Sequence, residues 1–191
     1  MPSKPRTQQQ RRDATSSAIL DNASNLFGAR GYQVTSLEDI ATVSGTTIRP
    51  IYHYYGNKKN LFQAVTERLE AQLADALQQV QADGVSLADY WETFMQFGRD
   101  HSFRQIVLVD SPVVLGRERW AHSPVVRLAI DILVSLFPQL QPETRMLIAQ
   151  MAVAALTEAA MSLSEPGHTG KEKAFEEVSA IIRAGLMGVR V

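Results

Sequence analysis

Residues Thr35–Lys59, TSLEDIATVSGTTIRPIYHYYGNKK, decide the reading of this chain. Leu37, Ile40, Ala41 and Ser44 follow i, i+3, i+4, i+7 spacing, so a short helix with an apolar face is expected, its last member small and polar. Ser36 suits the cap of that helix, with Asp39 three residues later reaching back in a capping box. Gly45 falls where the chain must turn sharply, a position that often needs positive φ. Thr46 or Thr47 then caps a second helix whose inward face would be Ile48, Ile51, Tyr52 and Tyr55. Pro50 resembles a breaker, but with Thr47 as the cap it is the third helical residue, where no intrahelical N–H is lost. Two short helices about a glycine turn form a helix-turn-helix, which presents its second helix to the major groove of duplex DNA.

The rest of the chain is compatible with that reading. Its 191 residues allow one large domain or two small ones, and 45% apolar content is enough for a core. Cysteine is absent, which excludes structural disulfides, thiol catalysis and cysteine–zinc sites. No run of about 18 apolar residues occurs and the N-terminus lacks an apolar leader, so a cytoplasmic protein is expected. The net charge of −1 hides an asymmetry. Residues 1–60 carry eight Lys/Arg against four Asp/Glu, and residues 61–191 carry eleven against sixteen. The basic end holds the helix-turn-helix, as expected if only that end meets phosphate.

The chain reads as all-α, without sustained strand alternation or internal repeat. Residues 1–12 form a polar, basic arm, and a helix begins near Asp13 with Ile19, Leu20, Ala23, Leu26 and Phe27 on one face. With the helix-turn-helix at 36–55 it makes a three-helix head over residues 13–73. A long helix runs from Lys58 to about Ala82 and ties the head to a C-terminal unit, residues 74–191. Further helices are expected after Ser86, over 102–109, 125–137, 142–164 and 171–188, with 110–124 (DSPVVLGRERWAHSP) irregular in part.

Two features of the C-terminal unit suggest binding surfaces. Trp91, Phe94, Met95, Phe103, Leu115 and Trp120, joined by Met151 and Ala155, are candidates to line an apolar ligand pocket, with Arg104, Asp110 or Arg117 as polar anchors. Aromatics at helical spacing serve equally well as plain core. The last two helices carry more apolar surface than one protomer needs, which points to a two-fold interface with a second copy. Leu156, Ala159, Ala160, Leu163, Phe175, Val178, Ile182 and Leu186 are its candidate residues. The four histidines lack metal-ligand spacing, and no catalytic triad or phosphate loop is present, so neither a metal, a cofactor nor an enzyme is expected.

Leu26-Phe27, Gly31-Tyr32, Thr35-Ser36, Ile40-Ala41, Gly45, Ile51-Tyr52, Tyr55, Lys58 and Leu61-Phe62 together resemble the TetR family of bacterial transcriptional regulators, over roughly Asp13 to Leu73. The resemblance implies a homodimer on a palindromic operator, usually a repressor, released when a small molecule occupies the C-terminal unit. It also implies that Thr35 and Ser36 meet phosphate, that Thr46, Thr47, Arg49, Tyr52 and His53 belong to the recognition surface, and that Tyr54 and Lys58 contact the DNA backbone. Tyr55 takes the place of a family aromatic that packs in the core. Arg49-Pro50 departs from the commoner Gly-Thr-like pair, and whether Arg49 reads a base or a phosphate stays open. An activator, a ligand-independent regulator, or a helical small-molecule binder without DNA binding are the alternatives. The DNA-binding ones share the double-stranded operator as partner.

Overall fold

The computed structural model describes residues 7–82 and 87–162, with positions 173, 177 and 180 beyond them; among these residues every regular element is helical. The head comprises α1 (Gln8–Arg30), α2 (Leu37–Val43) and α3 (Ile48–Tyr55). The long α4 (Lys58–Ala82) follows, then α5 (Leu87–Arg99). Next comes α6, a run of three abutting pieces: an α-turn at His101–Phe103, a π-helical stretch at Arg104–Asp110 and an α-turn at Ser111–Val114. A 3₁₀ turn at Arg117–His122 leads into α7 (Pro124–Leu136) and α8 (Pro142–Ser162). Apart from positions 173, 177 and 180, which are helical, the expected helix over 171–188 lies outside the described residues.

The first helix begins at Gln8, five residues before the expected start. Thr7 and Gln10 form a capping box: Thr7 Oγ1 accepts from Gln10 N at 3.2 Å and Gln10 Oε1 from Thr7 N at 2.9 Å. This places Arg11 and Arg12 on a helix rather than in an arm. The T-x-x-Q spacing of Thr7 and Gln10 is the sequence signal for this earlier start.

An aromatic cluster joins the head to α4. Phe27 meets Phe62 edge-on at 5.1 Å, and Tyr32 meets Phe62 at 4.9 Å. Ile19, Ile40, Ile51, Leu61 and Phe62 are fully buried around it. At about 1.5 Å per residue, the 25 residues of α4 span roughly 37 Å, enough to pack α1 and α3 at one end and α5 and α7 at the other. The π register of α6 has a local cause. Pro112 has no N–H to offer Leu108 O and its ring crowds that carbonyl, so the helix widens just before it, with Ser111 N donating to Ile106 O.

One ion pair is deeply buried. Glu70, on α4, has no exposed surface and receives both terminal nitrogens of Arg119, at 2.6 and 2.9 Å. Burial pushes the Glu70 carboxyl above its usual range, opposed by the Arg119 hydrogen bonds and charge. The pair fastens the 3₁₀ turn to α4.

Two expected interface residues turn inward. Ala160 is buried against α5, where a Cβ built on Gly98 would stand 2.6 Å from Ala160 Cβ. Leu156 lines a partly open cavity between α5, α7 and α8. Both belong to the protomer's own packing because their turn of α8 faces α5. Ala159 is half-buried, and Leu163, Phe175, Val178, Ile182 and Leu186 lie outside the described residues.

Candidate functional site

The turn between α2 and α3 follows the sequence reading closely. Ser36 caps α2 in a reciprocal box with Asp39, both bonds 3.0 Å. The Ser36 hydroxyl and N–H hold the Asp39 carboxyl below its ordinary range. Gly45 sits at φ +62°, a conformation that L side chains rarely adopt. Thr47 is the extended cap of α3, without a side-chain cap bond, and Pro50 is the third helical residue.

Within α3 the faces are sharply divided. Ile51 is fully buried, whereas Arg49 and His53 are exposed and Tyr52 is 52% exposed. Tyr52 therefore leaves the inward face on which periodicity had set it, because at one residue past Ile51 the helix has already turned about 100°. Tyr55 is strapped to α1: its hydroxyl lies 3.1 Å from Ser16 Oγ and donates to Ser16 O at 3.0 Å. Thr46 is half-buried, Thr47 exposed. Tyr54 is half-buried with its ring 5.2 Å from His53 and 6.4 Å from Tyr55. Arg49, Tyr52, His53 and Thr47 thus share the outward side of one short helix. Its positive N-terminal end adds to the attraction for phosphate.

Thr35 departs from its expected role. It is 1% exposed, and its hydroxyl donates to Gly31 O at 2.9 Å and Leu26 O at 3.3 Å, closing the end of α1 rather than meeting phosphate. Lys58 is half-buried; its Nζ stands 4.3 Å over the Tyr32 ring and donates to Gln33 O at 3.4 Å. Desolvation draws the Lys58 pKa down, and the charge of Asp110 works against that. The α4 N-terminus has a cap that the sequence reading missed: Asn57 Oδ1 accepts from Asn60 N at 2.8 Å. Asparagine just before a helical run was the available signal.

In the C-terminal unit, α4, α5, α7 and α8 line a partly open apolar cavity of about 300 Å³. Its wall includes Leu77, Tyr90, Trp91, Phe94, Val125, Leu128, Ala129, Leu133, Ala149, Val153, Ala155 and Leu156. Of the expected lining, Trp91, Phe94 and Ala155 are present. Met95 and Phe103 are buried in the core, Leu115 packs against it, and Met151 is 63% exposed on the outside of α8. The side chains of Trp120 and Arg117 lie outside those described. Arg104 is not an anchor; its guanidinium donates to Gly98 O at 2.8 Å and Arg99 O at 3.3 Å, closing the end of α5. Asp110 instead faces the head, accepting from Tyr32 N at 2.7 Å. Most of the wall comes from α7 and α8, and α8 is apolar nearly all round, so its sequence does not say which side faces inward.

Comparison with known proteins agrees with this architecture. Residues 19–65 match the family described as bacterial regulatory proteins, tetR family, and residues 85–189 match a tetracyclin repressor-like C-terminal domain. The chain is 37% identical to the HTH-type transcriptional repressor ComR of Escherichia coli over 39% of its own length and 38% of that protein's. It is 29% identical to the biofilm operon regulator IcaR of Staphylococcus epidermidis, over 47% and 49% of the two chains. It thus spans about a third to a half of the curated relatives it matches. A TetR-family regulator from Pectobacterium atrosepticum superposes with a TM-score of 0.69 at 25% identity, over 97% of this chain and 98% of that one. The fatty acid degradation regulator FadR of Bacillus halodurans shares the fold at 17% identity, with a TM-score of 0.68 over 98% and 99%. With a helix-turn-helix head and a helical C-terminal domain both matched along the sequence, this chain belongs to the TetR family of bacterial transcriptional regulators.

Proposed function

We propose that this protein is a homodimeric repressor that leaves a palindromic operator when a small molecule occupies its C-terminal cavity. The observation that carries the reading is the outward set Thr47, Arg49, Tyr52 and His53 on a helix anchored by buried Ile51. Side chains so placed reach base edges once the helix enters the major groove, and two copies would read half-sites roughly 34 Å apart. The relatives named as repressors support the negative sign of regulation. For the dimer, the outer side of α8 offers Leu147 and Met151, 57% and 63% exposed in the protomer. Apolar exposure of this kind suits a two-fold helical bundle.

The cavity wall favours a neutral, largely apolar effector. Among the described residues of the wall, Tyr90 and Trp91 alone carry a side-chain polar atom, and desolvation raises the Tyr90 pKa, so its hydroxyl remains a donor at neutral pH. A charged ligand group would be stripped of water with no opposite charge in the wall, at a cost of several kcal/mol. The neutral dye N-phenyl-1-naphthylamine is therefore expected to bind about tenfold or more tightly than its sulfonated analogue. Ala129→Phe, which fills part of the cavity, should weaken that binding. Equal binding of the two dyes, measured by fluorescence titration, would rule out this effector class.

Footprinting on DNA upstream of the protein's own gene tests the central reading, with salt-sensitive, two-fold protection as the expected result. Lys58→Ala is expected to weaken binding to all sequences alike and to flatten the salt dependence by about 1.8 in log–log slope, one phosphate per protomer. An unchanged slope would remove Lys58 from the phosphate contacts.

A further inference from the structure

Asp110 joins the two units of the protein through a single carboxylate. Its Oδ2 accepts from the backbone N–H of Tyr32 at 2.7 Å and from Gln105 Nε2 at 3.1 Å. Tyr32 opens the loop between α1 and α2. Gly31, immediately before it, is buried at φ +79°, with room for a Cβ only 3.4 Å from Asp110 Oδ2. The Tyr32 ring packs on Phe27 and Phe62 and carries the Lys58 ammonium on its face. Thr35 closes the far side of the same loop on Gly31 O. Residues 31–36, which lead into the cap of α2, are therefore held from one side by the head's own side chains. From the other side they are held by a residue of α6.

We infer that Asp110 is a positioning residue for operator binding, the point through which α6 holds the head in its DNA-competent form or lets it go. The inference rests on the reading of the head as a switched operator binder and says how the switch reaches it. A carboxylate accepting a backbone N–H makes one of the stronger hydrogen bonds available to a loop. Asp110 is the last residue of the π-helical stretch, and π turns are rare and concentrate at functional sites. Because Pro112 holds this wide register, Asp110 moves with α6 as a body, and a displacement of about 1 Å stretches its bond to Tyr32 N beyond hydrogen-bond range. The cavity has a contiguous route to this stretch. Phe94 lines the cavity on α5, and Phe97 on the next turn meets Phe103 edge-on at 5.3 Å, directly before the first π-helical residue. At the other side, α1 and α6 touch closely: a Cβ on Gly28 would lie 2.4 Å from Ser102 Oγ. A shift of α6 therefore acts on the head directly.

The test compares Asp110→Ala and Asp110→Asn in the full chain, using a duplex that the wild-type protein selects from a random-sequence pool. Asp110→Ala is expected to weaken that duplex about tenfold or more, as loss of a charge-assisted bond implies. Amide exchange in the free protein should quicken at residues 32–36 while α4 keeps its protection. Asp110→Asn retains an acceptor oxygen and is expected to keep most of the affinity. Wild-type affinity in Asp110→Ala overturns the inference, and so does a general loss of protection through α1, α3 and α4. Asp110→Asn as weak as Asp110→Ala overturns the hydrogen-bond latch in favour of charge alone. Failure of the wild-type protein to select any duplex is a different outcome: it removes the operator reading itself, and the latch as a device for DNA with it.

Discussion

Arg119→Met is expected to destabilise the protein by about 3–5 kcal/mol, the largest loss foreseen for a single side chain outside the apolar core. Glu70 is wholly buried on α4, and Arg119 supplies both of its short hydrogen bonds. Removing the guanidinium strands a carboxylate without water or partner, which costs more than the pair itself contributes. The loss carries a pH signature. Burial raises the Glu70 pKa, so between the unfolded value, about 4.3, and the folded value the native state binds the extra proton, and stability falls as pH rises across that window. Without Arg119 the folded value climbs further and the window widens. Urea denaturation should therefore show a deficit that is largest near pH 8 and shrinks toward pH 5. Glu70→Leu combined with Arg119→Met, which removes both charges, should recover most of the loss. A pH-independent deficit would show that lost packing of the Arg119 side chain, rather than a stranded charge, is responsible.

Arg49→Ala is expected to have the largest effect on DNA recognition. Arg49 is exposed in the first turn of α3, beside Thr47 and on the side away from buried Ile51. A bidentate guanine contact is worth about 1–3 kcal/mol of discrimination, and a symmetric dimer makes it twice. Loss of both copies corresponds to about 2–6 kcal/mol, roughly 30-fold to 10⁴-fold in affinity for the cognate duplex. Competition among duplexes differing at one symmetric base pair separates the two possible roles. If Arg49 reads a base, Arg49→Ala relaxes preference at that pair and leaves the salt slope nearly intact. If it meets phosphate, all duplexes weaken alike and the slope falls by about 1.8. A variant that binds every duplex as the wild type does would exclude Arg49 from the interface.

Much of the head is legible in the sequence itself. Ser36 and Asp39 are three apart because a capping box needs that spacing, and Gly45 stands where only a residue tolerant of positive φ fits. The bounds of α4 followed from its apolar spacing and from the glycine-containing segments on either side. The misreadings have definite causes. Tyr52 satisfies helical spacing for the inner face, yet α3 is only eight residues long and Ile51 alone reaches the core fully. Thr35 looks like a phosphate ligand until the end of α1 arrives beside it and takes its hydroxyl. Arg104 and Asp110 resembled pocket anchors because charged residues near aromatics are ambiguous without a direction. One closes α5 and the other holds the head.

Caps, turns and helical periodicity are interactions among residues a few positions apart, so this chain's order of residues alone determined an all-α protein with a helix-turn-helix at its basic end. What the Glu70 and Asp110 carboxylates touch, which side of α7 and α8 walls the cavity, and which turns of α8 remain free for a second copy were decided only in the folded molecule. The bonds of Arg119 to Glu70 and of Asp110 to Tyr32 join residues 49 and 78 positions apart. Partners so distant are selected by how whole helices pack, a choice that no local pattern records.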